Sequence, residues 1–439
     1  MLRQLSLLTV LISVAGPVFA AATGLFEIYT QALQADPRIP IAQQKVEVGK
    51  AQADSAFGAL LPQASFSASL SDNEVQFDSD LVEDRSYNGE RYSVQVRQML
   101  FNWRTLSTRA RTKQVVAQRE SELLDVMSIL LVDVSERYFR VLLAQGDLEL
   151  KQAELELVQQ QLRQTEELYK RKLVRITDLL ETQARADRVR TDLIEAENNV
   201  ALARESVSEL TGTTVGDLAP IKEDFTLPQL ANTMEYWTGL ATSNNALLAS
   251  KHEAVLAAEE AVEEQKGGHY PTVDLILSGQ RSDVGFDNQS SPKRDTQYVG
   301  IDINLPIYSG GSTSARVREA WAQYYIAREE EEAARREVLK RTREAWLNTR
   351  SSRRRIDSAD LSVQSAAKSY EAMSKSFTYG TVTATDVLEA LRGQTLAQRD
   401  YQDALYSYLV NWMALKRESG SLDADGLRQL DDWLISSHL

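Results

Sequence analysis

Four carboxylates in two matching settings are the residues of this chain best placed to do chemistry. Thr177-Asp178-Leu179-Leu180-Glu181 returns as Thr385-Asp386-Val387-Leu388-Glu389, a shift of 208 positions (386 − 178). In each block the acids stand three apart, which on a helix puts both on one face. Charges so placed attract cations and repel one another. An Asp after a Thr is also favoured at any helix start, where the side chains cap free N–H groups and meet the positive end of the macrodipole. Lys170, Arg171, Lys172 and Arg175 crowd beside the first block, and the second block has no counterpart to them. Such a cluster is either a solvated face or a docking surface. His252, His269 and His438 share no metal-ligand spacing, and neither a Gly-rich phosphate loop nor a nucleophile elbow occurs. The sequence therefore names no catalytic residue, no metal site and no cofactor, and an enzyme is not expected.

The two blocks belong to a longer repetition. The same shift carries Gly212 onto Gly420, and a nearly equal one carries Pro62 onto Pro271. Several landmarks in one order at one offset mean a duplicated module, which fixes architecture before any local pattern does. The repeats are expected at 21–212 and 234–420, with 213–233 joining them and 421–439 as a tail.

Each block must sit on a long helix. Between Trp103 and Thr211 there is no proline and one glycine, Gly146, and between Ser312 and Tyr379 there is neither. Val134, Val141, Leu148, Leu155, Leu162 and Tyr169 form a seven-spaced stripe with charged and Gln residues between them. Two rows supply the partner face: Ala186, Leu193, Val200 and Val207, then Val189, Ala196, Ala203 and Leu210. The second copy keeps the theme with Ala397, Tyr401, Ala404, Tyr408 and Leu415. Such stripes are packing surfaces. Helices are predicted at about 104–170, 176–211, 312–378 and 384–419, the first a rod of roughly 100 Å at 1.5 Å per residue. One further helix opens each repeat.

Ahead of each rod the period changes to 2. Phe66, Ala68 and Leu70 alternate with Ser65, Ser67 and Ser69; Tyr92, Val94 and Val96 alternate with Ser93, Gln95 and Arg97. In the second copy Val273, Leu275 and Leu277 alternate with Asp274 and Ser278, and Val299, Ile301 and Ile303 with Gly300, Asp302 and Asn304. These read as four strands with one wet face, in hairpins at about 62–102 and 271–308. The polar segments Ser71 to Arg91 and Gly279 to Gln297 are expected as surface loops. Strands of about ten residues, aromatic residues expected near their ends (Tyr92, Phe101, Tyr270, Tyr298, Tyr308) and an exported chain mark a membrane barrel rather than a soluble sandwich. Four strands cannot close one, because about eight are needed and bare edges cannot face lipid. Two copies give a barrel filled by its own side chains; three give twelve strands and a lumen.

Composition agrees with export. Arg3, the apolar run Leu5 to Ala15 and Val18-Phe19-Ala20 read as a signal peptide over 1–20. No later segment reaches the roughly 20 apolar residues of a transmembrane helix. Cysteine is absent, and the net charge of −14 argues against nucleic acid as partner.

Taken together, these features resemble the TolC-like outer-membrane efflux family over nearly the whole mature chain. The most specific pieces are Leu305-Pro306-Ile307-Tyr308-Ser309-Gly310-Gly311 and Tyr379-Gly380-Thr381-Val382-Thr383-Ala384-Thr385-Asp386-Val387-Leu388, with Leu61-Pro62-Gln63 in the first copy. The resemblance implies an α+β membrane protein: a homotrimer with a twelve-stranded barrel, four strands per chain, continued by a long α-helical coiled-coil barrel. It implies a passive exit duct of a tripartite efflux or type I secretion system. The duct would sit in the outer membrane of a Gram-negative cell, in contact with its lipid, extend into the periplasm, and serve a periplasmic adaptor and an inner-membrane pump.

The same resemblance puts the turn after each rod at the periplasmic tip and assigns Asp386 and Glu389 to the pore constriction. Three copies would gather six carboxylates, and two like charges about 8 Å apart repel by roughly 2 kcal/mol at an effective dielectric of 20. A closed ring therefore needs cations or basic neighbours. Lys170, Arg171, Lys172, Arg175, Asp178, Gly380 and Thr381 are expected at the tip, in adaptor contact or in a latch pairing Arg175 with Asp178, Asp386 or Glu389. Family tips often carry Gly at the position of Lys172, and an aromatic hydroxyl and an arginine at those of Phe377 and Val382. Two rival classes are a periplasmic adaptor, which has one helical hairpin flanked by β domains, and a structural coiled-coil protein of the envelope.

Overall fold

The computed structural model describes residues 23–78, 84–222, 226–283 and 293–422. The 1–20 leader and most of the 421–439 tail lie outside them. Among the described residues eight α-helices and four strands repeat in order as two sets of six: α1 (Leu25–Ala35), α2 (Arg38–Gly58), β1 (Gln63–Val75), β2 (Arg85–Phe101), α3 (Trp103–Lys170) and α4 (Ile176–Thr211), then α5 (Met234–Asn244), α6 (Ala246–Lys266), β3 (Thr272–Ser282), β4 (Arg294–Asn304), α7 (Ser312–Thr378) and α8 (Ala384–Glu418). Two helices open each repeat, where the sequence suggested one. Asp36 ends α1 and its carboxylate accepts the backbone N–H of Arg38 at 2.8 Å, while Asn245 caps α6 by accepting from Leu248 N–H at 3.1 Å. Short polar side chains that bond nearby backbone interrupt helices in this way.

The strands form one antiparallel sheet in the order β1-β2-β3-β4, so β2 and β3 join the two repeats and β1 and β4 are bare edges. Register pairs Phe66 with Val94, Val96 with Leu277, and Leu277 with Val299, which collects an exposed apolar face. Ser65, Gln95, Ser278 and Tyr298 share the opposite face. The strands run further than expected: Ser71 pairs with Gly89, Val75 with Arg85, and Gly279 with Gln297. Ladder hydrogen bonds are made by backbone, so polar residues on both faces do not end a strand. Tyr92 and Tyr298 accordingly lie within strands, and Tyr298 folds its hydroxyl over Gly300 on the polar face. An Arg97–Asp274 ion pair ties β2 to β3 on that face, with Asp302 directly across from Asp274.

Below the sheet, α3 packs on α4 and α7 on α8. Val134, Val141, Ala196 and Val207 are buried as the stripes require, whereas Tyr169, at the far end, is exposed. The largest apolar cluster joins α1 to α3, α4 and α8 around Tyr138, Tyr408 and Trp412. The joining segment lies against it. Tyr138 Oη donates to the Ala219 carbonyl at 2.7 Å, Tyr408 Oη donates to that of Pro228, and Trp346 Nε1 to that of Asn232 at 3.2 Å. Further along, Glu154 of α3 is buried and held by Lys151 Nζ at 3.0 Å and by Arg185 of α4. This ion triad fixes the register of the first helical pair.

Candidate functional site: the paired helical tips

Both rods end in the same turn. At the second tip Thr381 N–H donates back to the Ser376 carbonyl at 3.1 Å and Gly380 N–H to that of Phe377 at 2.9 Å; at the first, Leu173 N–H reaches the Leu168 carbonyl at 2.9 Å and Lys172 N–H that of Tyr169 at 2.8 Å. This is the Schellman closure, which places one residue in the left-handed region. That residue is Gly380 at φ 71° in one tip and Lys172 at φ 58° in the other, and Lys172 is the sole non-glycine with positive φ among the described residues. A side chain there is strained, so the first tip keeps the fold of its twin against its own preference.

The helices that leave the turns start differently. Thr383 is the N-cap of α8. Asp386 accepts from Thr383 N at 2.8 Å and from its Oγ1 at 2.7 Å, and Thr383 Oγ1 stands 3.3 Å from Asp386 N. Those bonds hold the Asp386 carboxyl below its usual range. The cap is thus Thr383, two residues ahead of the Thr385-Asp386 pair expected from sequence, because a capping box needs a spacing of three. At α4 the N-cap is Arg175, which cannot accept a hydrogen bond, so half of the box remains: Arg175 N donates to Asp178 at 3.1 Å. The Arg175 guanidinium folds onto the same carboxylate at 3.3 Å and forms no ion pair with Asp386 or Glu389 within the chain. Lys170 pairs with Glu167 at 2.7 Å, which raises the lysine and lowers the acid from their ordinary ranges.

The tips meet at two clefts. One, of about 600 Å³, is lined by Lys172, Arg175, Asp178, Gly380, Phe377 and Val382. Thr381 closes its own helix with a second bond, Oγ1 to the Ser376 carbonyl at 3.0 Å. The other cleft, of about 290 Å³, lies between α4 and α8 and is lined by Glu181, Arg185, Arg188, Thr385, Glu389 and Arg392. There Thr385 Oγ1 donates to Glu181 Oε2 at 2.9 Å. Arg185, Arg188 and Arg392 were not singled out from sequence. The available signal was helical spacing: Arg185 stands four after Glu181 and Arg392 three after Glu389, so each shares a face with its acid. Arg188 and Arg392 line the cleft beside Glu181 and Glu389, Arg185 pairs with Glu154, and Arg175 pairs with Asp178.

A two-faced sheet with bare edges, mounted on paired rods that end in polar tips, defines a membrane channel that continues as a helical duct. The comparisons agree. Residues 28–213 and 237–421 match the sequence model of the outer membrane efflux protein family, and the chain belongs to that family. It is 31% identical over 415 residues to the alkaline protease secretion protein AprF of Pseudomonas aeruginosa, covering 92% of this chain and 86% of that one. It is 28% identical over 432 residues to the outer membrane protein TolC of Escherichia coli, covering 94% and 85%. Among solved structures, CusC superposes with a TM-score of 0.81 at 16% identity, covering 91% of this chain and 93% of that one. The outer membrane channel CmeC of Campylobacter jejuni gives 0.79 at 18% identity, covering 93% and 89%. The chain is an outer-membrane export channel of the efflux and type I secretion class.

Proposed function

We propose that three copies of this chain form one passive duct that carries cargo from a pump in the inner membrane, through a periplasmic adaptor, to the outside of the cell. The observation that carries this reading is the sheet. Its four strands have an apolar face for lipid and a polar face for water, yet both edges are bare. A closed barrel is the one arrangement that satisfies such a sheet in a bilayer, and twelve strands leave it a lumen. The α3 rod continues it for about 100 Å, which spans a periplasm rather than housing a pocket.

Asp386 and Glu389 are proposed as the constriction at the far end. Lys170, Arg171, Lys172, Arg175, Asp178, Gly380 and Thr381 form the surface offered to the adaptor. The acids favour cations in the lumen at this point. Energy for transport comes from the pump, since the chain carries no nucleotide-binding motif. The name of the alkaline protease secretion relative supports a secreted protease as one class of cargo.

The test is fractionation followed by reconstitution. The protein is expected in the outer-membrane fraction, extracted by detergent alone, with a native mass of three chains and stepwise conductance in planar bilayers. Release without detergent and silent bilayers would return the chain to the structural coiled-coil class.

A further inference from the structure

We propose that a cleft between α3 and α8, about halfway along the α3 rod, opens on the lumen and binds aromatic cations, the positively charged ring groups of passing cargo. The proposal rests on the three-copy reading above and goes beyond it by giving the wall of the duct a binding site.

Helical phase sets where the cleft faces. Glu136, Phe139 and Leu143 line it from α3, and Asp403, Tyr406 and Val410 from α8, around a volume of about 330 Å³. At 3.6 residues per turn these two sets centre roughly 130° round α3 from Tyr138 and roughly 190° round α8 from Tyr408. Those tyrosines mark the other side of the helical pair, because their hydroxyls donate to the joining segment at Ala219 and Pro228. A ring of such chains keeps an open bore only with the joining segment outside. The cleft then lies inside.

The lining suits one kind of ligand. Phe139 and Tyr406 stack with ring centroids 5.9 Å apart and planes 27° apart, an aromatic floor that Leu143 and Val410 extend. Glu136 and Asp403 supply the charge: each gives one oxygen to an arginine, Arg140 at 2.6 Å and Arg355 at 2.8 Å, and keeps the other free among the described residues. Burial, with Glu149 beside it, pushes the Tyr406 phenol up to about 12, so at neutral pH it is an uncharged donor. Apolar walls with a few converging polar groups make a small-molecule site, and an aromatic cation satisfies both parts of this one, by stacking on the rings and pairing with the acids. The internal repeat sets the cleft apart. Packing positions beside it match at the 208 offset, with Ala196 and Ala404, and Val200 and Tyr408, buried in both copies. The stacked rings do not match, since the twins of Phe139 and Tyr406 are Leu347 and Asn198. The aromatic floor therefore occurs once per chain.

The probe is 9-aminoacridine, a fluorescent planar cation, titrated into the detergent-purified full-length protein after its native mass is measured. Saturable binding is expected at one site per chain, above what detergent micelles alone take up. Tetramethylammonium has the charge without the rings and naphthalenesulfonate the rings with the opposite charge, and by competition each is expected to bind about tenfold more weakly or less. Tyr406→Ala, and Ser407→Trp, which fills the cleft, are expected to weaken binding about tenfold and Glu136→Gln about threefold, with Tyr406→Phe within about twofold of the native protein. If the larger changes fail to assemble, Glu136→Gln, at a half-exposed side chain, still decides. In planar bilayers, with Asp386→Ala and Glu389→Ala in place so that the tip acids do not hold the probe, it is expected to lower conductance, and adding Tyr406→Ala is expected to remove that effect. Binding or block that survives Tyr406→Ala, binding unchanged in Glu136→Gln, naphthalenesulfonate bound as tightly as the probe, or binding without block overturns the luminal site and leaves the three-copy reading standing. A native mass of one chain with silent bilayers overturns that reading instead.

Discussion

Thr385 Oγ1 donates a hydrogen bond to Glu181 Oε2 across 2.9 Å, joining the first residue of one five-residue block to the last residue of its twin. Blocks that repeat along the chain therefore touch at the tips of the rods. That contact joins the two tips within one chain, and its loss is expected to let them spread.

Removing the bond should favour the spread state modestly. Thr385→Val keeps the shape of the side chain and deletes the donor. Because the bond is solvent-exposed, the cost is expected at about 0.5–1 kcal/mol, a shift of up to about fivefold toward open in single-channel records. An unchanged open fraction would remove this bond from any account of gating.

Lys172 should be the easiest site at which to stabilise the protein. Its φ of 58° matches that of Gly380 at 71° without the freedom of a glycine. Lys172→Gly is expected to stabilise the first tip by about 1 kcal/mol, and Gly380→Ala to destabilise the second by a similar amount. Amide exchange at Tyr169 to Leu173 and at Phe377 to Thr381 would slow in the first variant and quicken in the second.

The buried triad should be costly to break. Glu154 is 1% exposed at its side chain and depends on Lys151 and Arg185. Arg185→Ala leaves that charge with one partner and is expected to cost about 2–4 kcal/mol. Limited proteolysis across α3 and α4 reads the loss, and Arg185→Lys should recover part of it. Wild-type protease resistance in Arg185→Ala would mean that the triad is dispensable.

The tip of α8 should be acid-sensitive only at low pH. The Asp386 carboxyl is held below its ordinary 3.8 by two bonds from Thr383. A folded-state pKa below the unfolded one gives stability that is fully present above the unfolded value and is lost as pH falls through the folded one. Between pH 7 and 5 the first turn of α8 should therefore be unchanged, with faster amide exchange appearing below about pH 4. Asp386→Ala should show that faster exchange already at pH 7.

The faces of the sheet can be checked by charge. Val299 lies on the apolar face and Gln95 on the polar one. Val299→Arg is expected to cost about 2–4 kcal/mol in a bilayer and to lower the yield of assembled protein, while Gln95→Arg assembles normally. Equal yields would mean that the assigned faces are wrong.

Much of this architecture was legible from residue pattern. Alternation at Phe66, Val94, Val299 and Ile301 and heptads at Val134 and Val141 are local, and a duplicated order of elements confirms each by its twin. What escaped depends on chain segments brought together by folding. Strand ends passed unnoticed because Ser71 and Gly89 are held by backbone pairing, which side-chain hydropathy does not report. Arg185, Arg188 and Arg392 acquire a shared cleft only when α4 and α8 meet. Lys172 adopts a backbone state that its own preference opposes, imposed by the turn that Gly380 makes freely.

The most direct test of the duct and its acidic end is ion selectivity in planar bilayers of the purified protein, native against the double variant Asp386→Ala with Glu389→Ala. The account predicts discrete steps with cation preference in the native protein, and larger steps with reduced preference in the variant. Steps of unchanged size and selectivity would contradict the constriction, and a native protein that opens no channel would contradict the duct itself.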